Sequence, residues 1–186
     1  MSKKFLSFIT ALLLAMTLAG CSSTSDKDPL EPMNRGIYKF NDVADKAVFK
    51  PVASGYKAIA PTPVRAGINN FFNNLSNVVT IVNQLLQFKF SKAAETTGRF
   101  VVNTTVGILG FIDVASRTGI SNYREDFGQT LGYWGVGTGP YLVLPFLGPS
   151  NLRDTFGLVT DWFYFDPLGY IEEPRTRNVL LVTKFI

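Results

Sequence analysis

The stretch PVRAGINNFFNNLSNVVTIVNQLL, residues 63–86, decides the fold class. Val64, Ile68, Phe71, Phe72, Leu75, Val78, Val79, Val82, Leu85 and Leu86 recur with the 3.6-residue period that lines one face of an α-helix, and asparagine fills the other face. From Ala66 to Phe88 the chain runs 23 residues without a charge. That length could span a bilayer, but six Asn and two Gln lie within it, and amide groups are costly in hydrocarbon unless protein or water satisfies them. The segment suits an interface or the lining of a cavity. At its centre Asn73-Asn74-Leu75-Ser76-Asn77 carries side chains that compete for backbone hydrogen bonds, which predicts a break or bend.

Helical spacing extends in both directions. Pro29 and Pro32 open a segment in which Ile37, Phe40, Ala44, Ala47 and Val48 share a face, with Arg35, Lys39, Asp42 and Lys46 between them. Pro51 and the Pro61-Thr62-Pro63 turn then leave a short helix around Val52 to Ala60, with Thr62 placed to cap the next. Ser91 is the expected cap of a helix that carries Glu95 in its first turn and runs toward Thr105. In Gly107 to Ala115 (GILGFIDVA) the lone Asp113 reads as a cap or an ion-pair partner. Gly119, Asn122 and Arg124-Glu125-Asp126 mark a loop. Ser150 is the expected cap of a helix with Leu152, Phe156, Val159 and Phe163 on one face. Trp162 and Tyr164, near its end, suit headgroup depth or a core equally well. A last apolar helix begins at Thr176, and its Phe185-Ile186 end is awkward enough that the natural chain is expected to continue.

Between these helices lies GYWGVGTGPYLVLPFLG, residues 132–148. Gly135, Gly137 and Gly139 do not complete a GxGxxG phosphate loop, because Pro140 stands at the sixth place. What remains is an apolar run, Leu142, Val143, Leu144, Pro145, Phe146 and Leu147, bounded by Gly139-Pro140 and Gly148-Pro149. It reads as a hydrophobic hairpin loop with its tip at Pro145, a residue barred from helix interiors and central strands.

The start of the chain is a secretion signal. Lys3 and Lys4 precede fifteen apolar or small residues, Phe5 to Ala19, too few to cross a bilayer that demands about 20. Leu18-Ala19-Gly20-Cys21 resembles the lipobox of bacterial lipoproteins, in which the cysteine takes a diacylglycerol and becomes the first residue after cleavage. Residues 1–20 are therefore read as the signal, 21–28 as a lipidated flexible tether, and 29–186 as one helical domain. Ser22, where retained lipoproteins tend to carry Asp, points to the outer membrane. Cys21 is the single cysteine, so the mature chain has no internal disulfide.

Cleavage leaves 166 of the 186 residues and 16 of the 18 basic groups, against 14 acidic ones. No basic run exceeds two residues, so the footprint of a nucleic-acid binder is missing. Charged residues make up 17% of the chain where soluble domains carry about 25%, a composition that fits a body whose surface partly meets lipid. With no histidine, Ser-His and Cys-His pairs and the commonest zinc ligand are excluded. No GxSxG elbow occurs, and the adjacent Glu172 and Glu173 cannot share a helix face as an acid/base pair. The chain reads as non-enzymatic.

Several blocks together resemble the MlaA, or VacJ-like, lipoprotein family: Asp28-Pro29-Leu30-Glu31-Pro32-Met33-Asn34-Arg35, Tyr38-Lys39-Phe40-Asn41, Gly110-Phe111-Ile112-Asp113-Val114-Ala115, Asp126-Phe127-Gly128-Gln129-Thr130-Leu131-Gly132, and Gly135-Val136-Gly137 through Pro140-Tyr141-Leu142-Val143-Leu144-Pro145. The resemblance implies an all-α, ring-like bundle of amphipathic helices embedded in the inner leaflet of the outer membrane, with an amphipathic channel. Through that channel, misplaced phospholipid would leave the outer leaflet for a soluble periplasmic carrier, with trimeric porins as partners. It implies no metal and no cofactor beyond the acyl lipid on Cys21. Phe40 and Asn41 match the family's gating position, and residues 142–147 its hairpin. Uncharged Asn69, Asn70, Asn73, Asn74, Asn77 and Asn83 fit a channel wall, since a fixed buried charge would trap a lipid headgroup. They would equally solvate an exposed helix face. A lipoprotein that scaffolds porins or the envelope without moving lipid is the alternative function.

Overall fold

The computed structural model describes residues 28–185, so the signal, Cys21 and the tether lie outside the described residues. Helix α1 spans Glu31–Ala44 and passes through a widened π turn, Asp45–Phe49, directly into α2, Lys50–Ile59. Pro51 does not separate them as the sequence suggested. Its ring would clash with a carbonyl one turn back in a regular helix, and the widened turn lies where that clash would fall.

Helix α3 runs unbroken from Thr62 to Leu86. No break falls at residues 73–77, because those side chains find partners that leave the helix backbone intact. Asn74 Nδ2 donates to Thr104 Oγ1 across the packed neighbour (2.9 Å), Asn77 Nδ2 donates to Asn74 Oδ1, and Ser76 Oγ donates back to the Phe72 carbonyl. The neighbour is α4, Phe90–Thr105, which returns antiparallel after a tight turn at Gln87–Lys89. Short helices α5 (Val114–Arg117) and α6 (Phe127–Tyr133) follow, then a two-stranded antiparallel sheet, β1 (Tyr141–Leu144) and β2 (Gly148–Asn151). Helix α7 (Leu152–Thr160) leads through a second π turn, Asp161–Phe165, and a 3-10 turn, Pro167–Tyr170, to α8 (Pro174–Phe185). The fold is predominantly helical.

The helix starts fall close to the expected ones, but three caps differ. Pro61 rather than Thr62 precedes α3, Lys89 rather than Ser91 precedes α4, and Asn151 rather than Ser150 caps α7, accepting from the Asp154 N–H. Glu95 is engaged elsewhere, accepting from the Ser121 N–H and the Tyr123 hydroxyl, which hold its carboxyl below the usual range.

Burial is inverted relative to a soluble domain. Among the described residues the buried side chains are polar in thirteen cases, including Asn74, Asn77, Asn83, Gln84, Gln87 and Arg99, and apolar in five. Large apolar groups stand outside: Ile59 is 85% exposed, Phe163 72% and Phe88 70%. Water-soluble proteins bury apolar groups first, so this chain is built for surroundings that are themselves apolar. No helix among the described residues is long and apolar enough to cross a membrane.

A continuous chain of hydrogen bonds runs through part of the polar interior, while the fully buried Gln84 amide and Thr96 hydroxyl have no hydrogen-bond partner among the described residues. Gln87 Nε2 donates to Thr130 Oγ1 (2.9 Å), Thr130 Oγ1 to Asn83 Oδ1 (2.7 Å), and Asn83 Nδ2 to Asp161 Oδ1 (3.0 Å), while Asp161 Oδ2 accepts the Phe127 N–H. Such satisfaction is what makes buried polar groups tolerable, and it ties α3, α6 and the turn after α7 into one body.

Candidate functional site

The hairpin and the helix on which it lies form the most specific arrangement in the molecule. Strand β1 pairs with β2 in the register Tyr141 to Asn151, Leu142 to Ser150, Val143 to Pro149 and Leu144 to Gly148. Pro149, which has no N–H, sits opposite Val143, whose own N–H points away from β2, so no ladder bond is lost. At the tip Pro145 is followed by Phe146 with φ +65°. Glycine or asparagine ordinarily takes such a position, and a bulky residue there stores strain of about 1–2 kcal/mol.

The free edge of β1 is closed by two asparagines of α1. Asn34 Nδ2 donates to the Tyr141 carbonyl (3.0 Å) and its Oδ1 accepts the Val143 N–H (2.8 Å). Asn41 repeats the pattern at the tip, donating to the Leu144 carbonyl (2.9 Å) and accepting the Phe146 N–H (2.8 Å). Each carboxamide offers the acceptor and donor that a neighbouring strand would offer. The spacing explains why two suffice: seven helical residues rise about 10.5 Å, and the three strand steps from Tyr141 to Leu144, whose carbonyls the two amides bind, cover about 10 Å. The Phe146 ring meets Phe40 edge-on at 5.0 Å between centroids and Phe49 at 6.0 Å.

Phe40, Asn41 and the hairpin residues are thus brought together. The other asparagines named from sequence stand in a separate group on α3. Asn69 is exposed and accepts from Asn73 Nδ2 (3.3 Å), Asn70 Nδ2 donates to the Phe111 carbonyl (3.2 Å), and Asn73 Oδ1 accepts from Arg124 (3.2 Å). Asn74 is buried, with Gly110 so close that a β-carbon there would stand 2.7 Å from its side chain.

A cleft of about 250 Å³ opens beside this second group, lined by Asn73, Asn77, Thr80, Arg124, Asp161 and Lys184 among others. Its lining mixes apolar and polar surface and includes charged groups, which departs from the expectation of an uncharged channel wall. Lys184 Nζ lies 2.6 Å from Asp166 Oδ2, and Glu125 Oε1 lies 2.8 Å from Lys89 Nζ, whereas Arg124 donates to the neutral Asn73 and Asp126 accepts from Gln129. Burial pushes the Asp161 carboxyl above its ordinary value, against the lowering influence of the Phe127 N–H and Asn83.

Asn34, absent from the sequence-derived candidates, carries half of the hairpin's attachment. Its signal was its place seven residues before Asn41 on one helix. Asp161 and Thr130, the other omissions, gave no local sign.

Comparison with known proteins places these features in context. The model of the MlaA lipoprotein family matches residues 26–186. An uncharacterised protein of Rickettsia prowazekii is 43% identical over 143 residues, covering 77% of this chain and 57% of that one. The intermembrane phospholipid transport system lipoprotein MlaA of Escherichia coli is 41% identical over 166 residues, covering 84% of this chain and 66% of that protein. A solved chain from a study of the structural basis for maintenance of bacterial outer membrane lipid asymmetry superposes with a TM-score of 0.71 at 36% identity, covering 86% of this chain and 81% of that one. The chain therefore spans between about half and two thirds of the length of these curated relatives.

Proposed function

Because the chain belongs to the MlaA lipoprotein family, we propose that it forms a conduit by which phospholipid leaves the outer leaflet of the outer membrane for a soluble periplasmic carrier. The observation that carries this reading is the inverted burial: thirteen polar against five apolar buried side chains, with large apolar residues outside. An apolar exterior suits immersion among acyl chains, and a polar interior suits passage of a headgroup that would otherwise cross hydrocarbon at high cost. No bond is made or broken, so net direction comes from the carrier that takes the lipid away. Lipid on Cys21 delivers the protein to its membrane, where two or three acyl chains hold it firmly and one would not. Trimeric porins are the proposed neighbours of the apolar exterior.

The test is extraction of the full lipidated chain from its native membrane, followed by lipid mass spectrometry. Intact diacyl phospholipid held non-covalently is expected. Accumulating lysolipid or free fatty acid would replace the conduit by a lipid-cleaving enzyme, and absence of any bound lipid would favour the scaffold alternative.

The hairpin is the proposed movable element. Replacing Leu144→Asp and Phe146→Asp together puts two charges where the tip meets apolar surroundings. We expect phospholipid to accumulate in the outer leaflet while acyl labelling of Cys21 is unchanged. Wild-type leaflet composition in this variant would remove the hairpin from the mechanism.

A further inference from the structure

We infer that Asn34 is a positioning residue, the pivot about which the hairpin opens, whereas Asn41 is the latch that releases. The inference rests on the reading of the hairpin as the movable element of the conduit. Both asparagines make the same pair of bonds to the hairpin, but in unlike surroundings. Asn34 is 5% exposed and so is its partner Val143. Breaking a hydrogen bond in so dry a place strands a donor and an acceptor that water cannot reach, at roughly 1–3 kcal/mol for each group. Asn41 is half-buried and its partner Phe146 is 61% exposed. There water replaces the lost partner as the contact opens, and the net cost falls to that of an ordinary exchange of bonds.

Strain adds to the asymmetry. Phe146 is held at φ +65° by its bond to Asn41 and by the rings of Phe40 and Phe49. Releasing Asn41 lets that backbone relax, which lowers the cost of opening at the tip and nowhere else. The base is reinforced instead. Asn34 Nδ2 donates to Asp28 Oδ2 (3.2 Å) as well as to Tyr141, and Asp28 Oδ1 accepts the Leu30 N–H (2.9 Å). The pivot is thereby fixed at the entry to α1, and the tip swings on it.

Amide hydrogen exchange of the full lipidated chain in detergent, read at single residues, tests this directly. In Asn41→Ala, exchange at the Phe146 N–H should rise by about thirtyfold, the loss of two ordinary hydrogen bonds, while the Val143 N–H stays within about twofold of wild type. In Asn34→Ala both should rise. If that variant loses its fold, exchange will also rise throughout α3 and α4, and Asp28→Ala decides. Asp28 is exposed, and its removal frees Asn34 from the entry to α1 while leaving both bonds from Asn34 to β1 possible, so exchange at Val143 should rise about fivefold with α3 and α4 still protected. Equal exposure of Val143 and Phe146 in Asn41→Ala would overturn the pivot, as would a Val143 N–H that stays as protected as in wild type when Asp28 is replaced by Ala. Outer-leaflet phospholipid measured in Asn41→Ala cells reads the underlying assumption separately: an unchanged leaflet alongside the expected exchange pattern would leave the pivot standing and refute the hairpin's part in transport.

Discussion

Asp113→Ala is expected to destabilise the protein by about 3–5 kcal/mol, the scale for breaking one half of a buried ion pair. Arg99 is 3% exposed, and its guanidinium lies 2.6 Å from Asp113 Oδ2 and donates also to the Ile120 carbonyl. With the carboxylate gone, that charge stays buried without its counter-ion. Asp113 further accepts from Asn103 Nδ2, from the Ser116 hydroxyl and from the Ser116 N–H that starts α5. Burial alone would raise its pKa, but the hydrogen bonds from Ser116, Asn103 and Arg99 outweigh that and hold it at about 2, against an ordinary 3.8. The sign follows from linkage. A carboxyl depressed by folding contributes stability that is fully present above pH 3.8 and is lost as the pH falls toward about 2. Thermal unfolding of the wild type should therefore weaken across that window more steeply than unfolding of Asp113→Asn. Parallel pH curves would show that the pair does not act as described.

Gly157→Ala should be nearly as damaging. Helices α6 and α7 cross at Gly128 and Gly157, and a β-carbon on Gly157 would stand 2.2 Å from the Gly128 nitrogen and 2.6 Å from its Cα. Those are backbone atoms, so no side chain can turn aside and the helices must part. Overpacking of this kind costs about 1–3 kcal/mol, and parting α6 also disturbs the buried Gln87-Thr130-Asn83-Asp161 chain. The expected loss is at the upper end, about 3 kcal/mol. Gly36→Ala is the control. Gly36 lies within α1 with nothing within 4 Å of the added carbon, so that change should be neutral or stabilising by up to about 1 kcal/mol. Equal unfolding midpoints for the two variants would refute the close crossing.

Much of this was legible in the sequence because its causes are local. The 3.6-residue period located α1, α3 and α7, and cap chemistry pointed to α4. Gly139-Pro140 and Gly148-Pro149 bounded the hairpin, and an isolated Asp113 in an apolar run announced a cap and ion-pair partner. What escaped depends on partners far along the chain. The run at residues 73–77 predicted a bend from side-chain competition for backbone. Thr104, thirty residues on, takes Asn74 out of that competition. The caps at Thr62, Ser91 and Ser150 each missed by a residue or two, because several adjacent residues can cap and the path of the preceding chain selects among them. Periodicity divides a helix into two faces without saying which one turns inward. In water the apolar face of α3 would be inside; here Asn74, Asn77 and Asn83 are inside instead. Asn34 and Asn41 were visible as a seven-residue repeat and the hairpin as an apolar run, but nothing local ties the two together across more than 100 residues.

The conduit itself is tested most directly by removing the chain from the bacterium that makes it and measuring phospholipid in the outer leaflet of its outer membrane. The account predicts that outer-leaflet phospholipid rises on deletion and returns to its starting level when the full chain is restored. A leaflet composition unchanged by deletion would contradict it and leave a structural lipoprotein in its place.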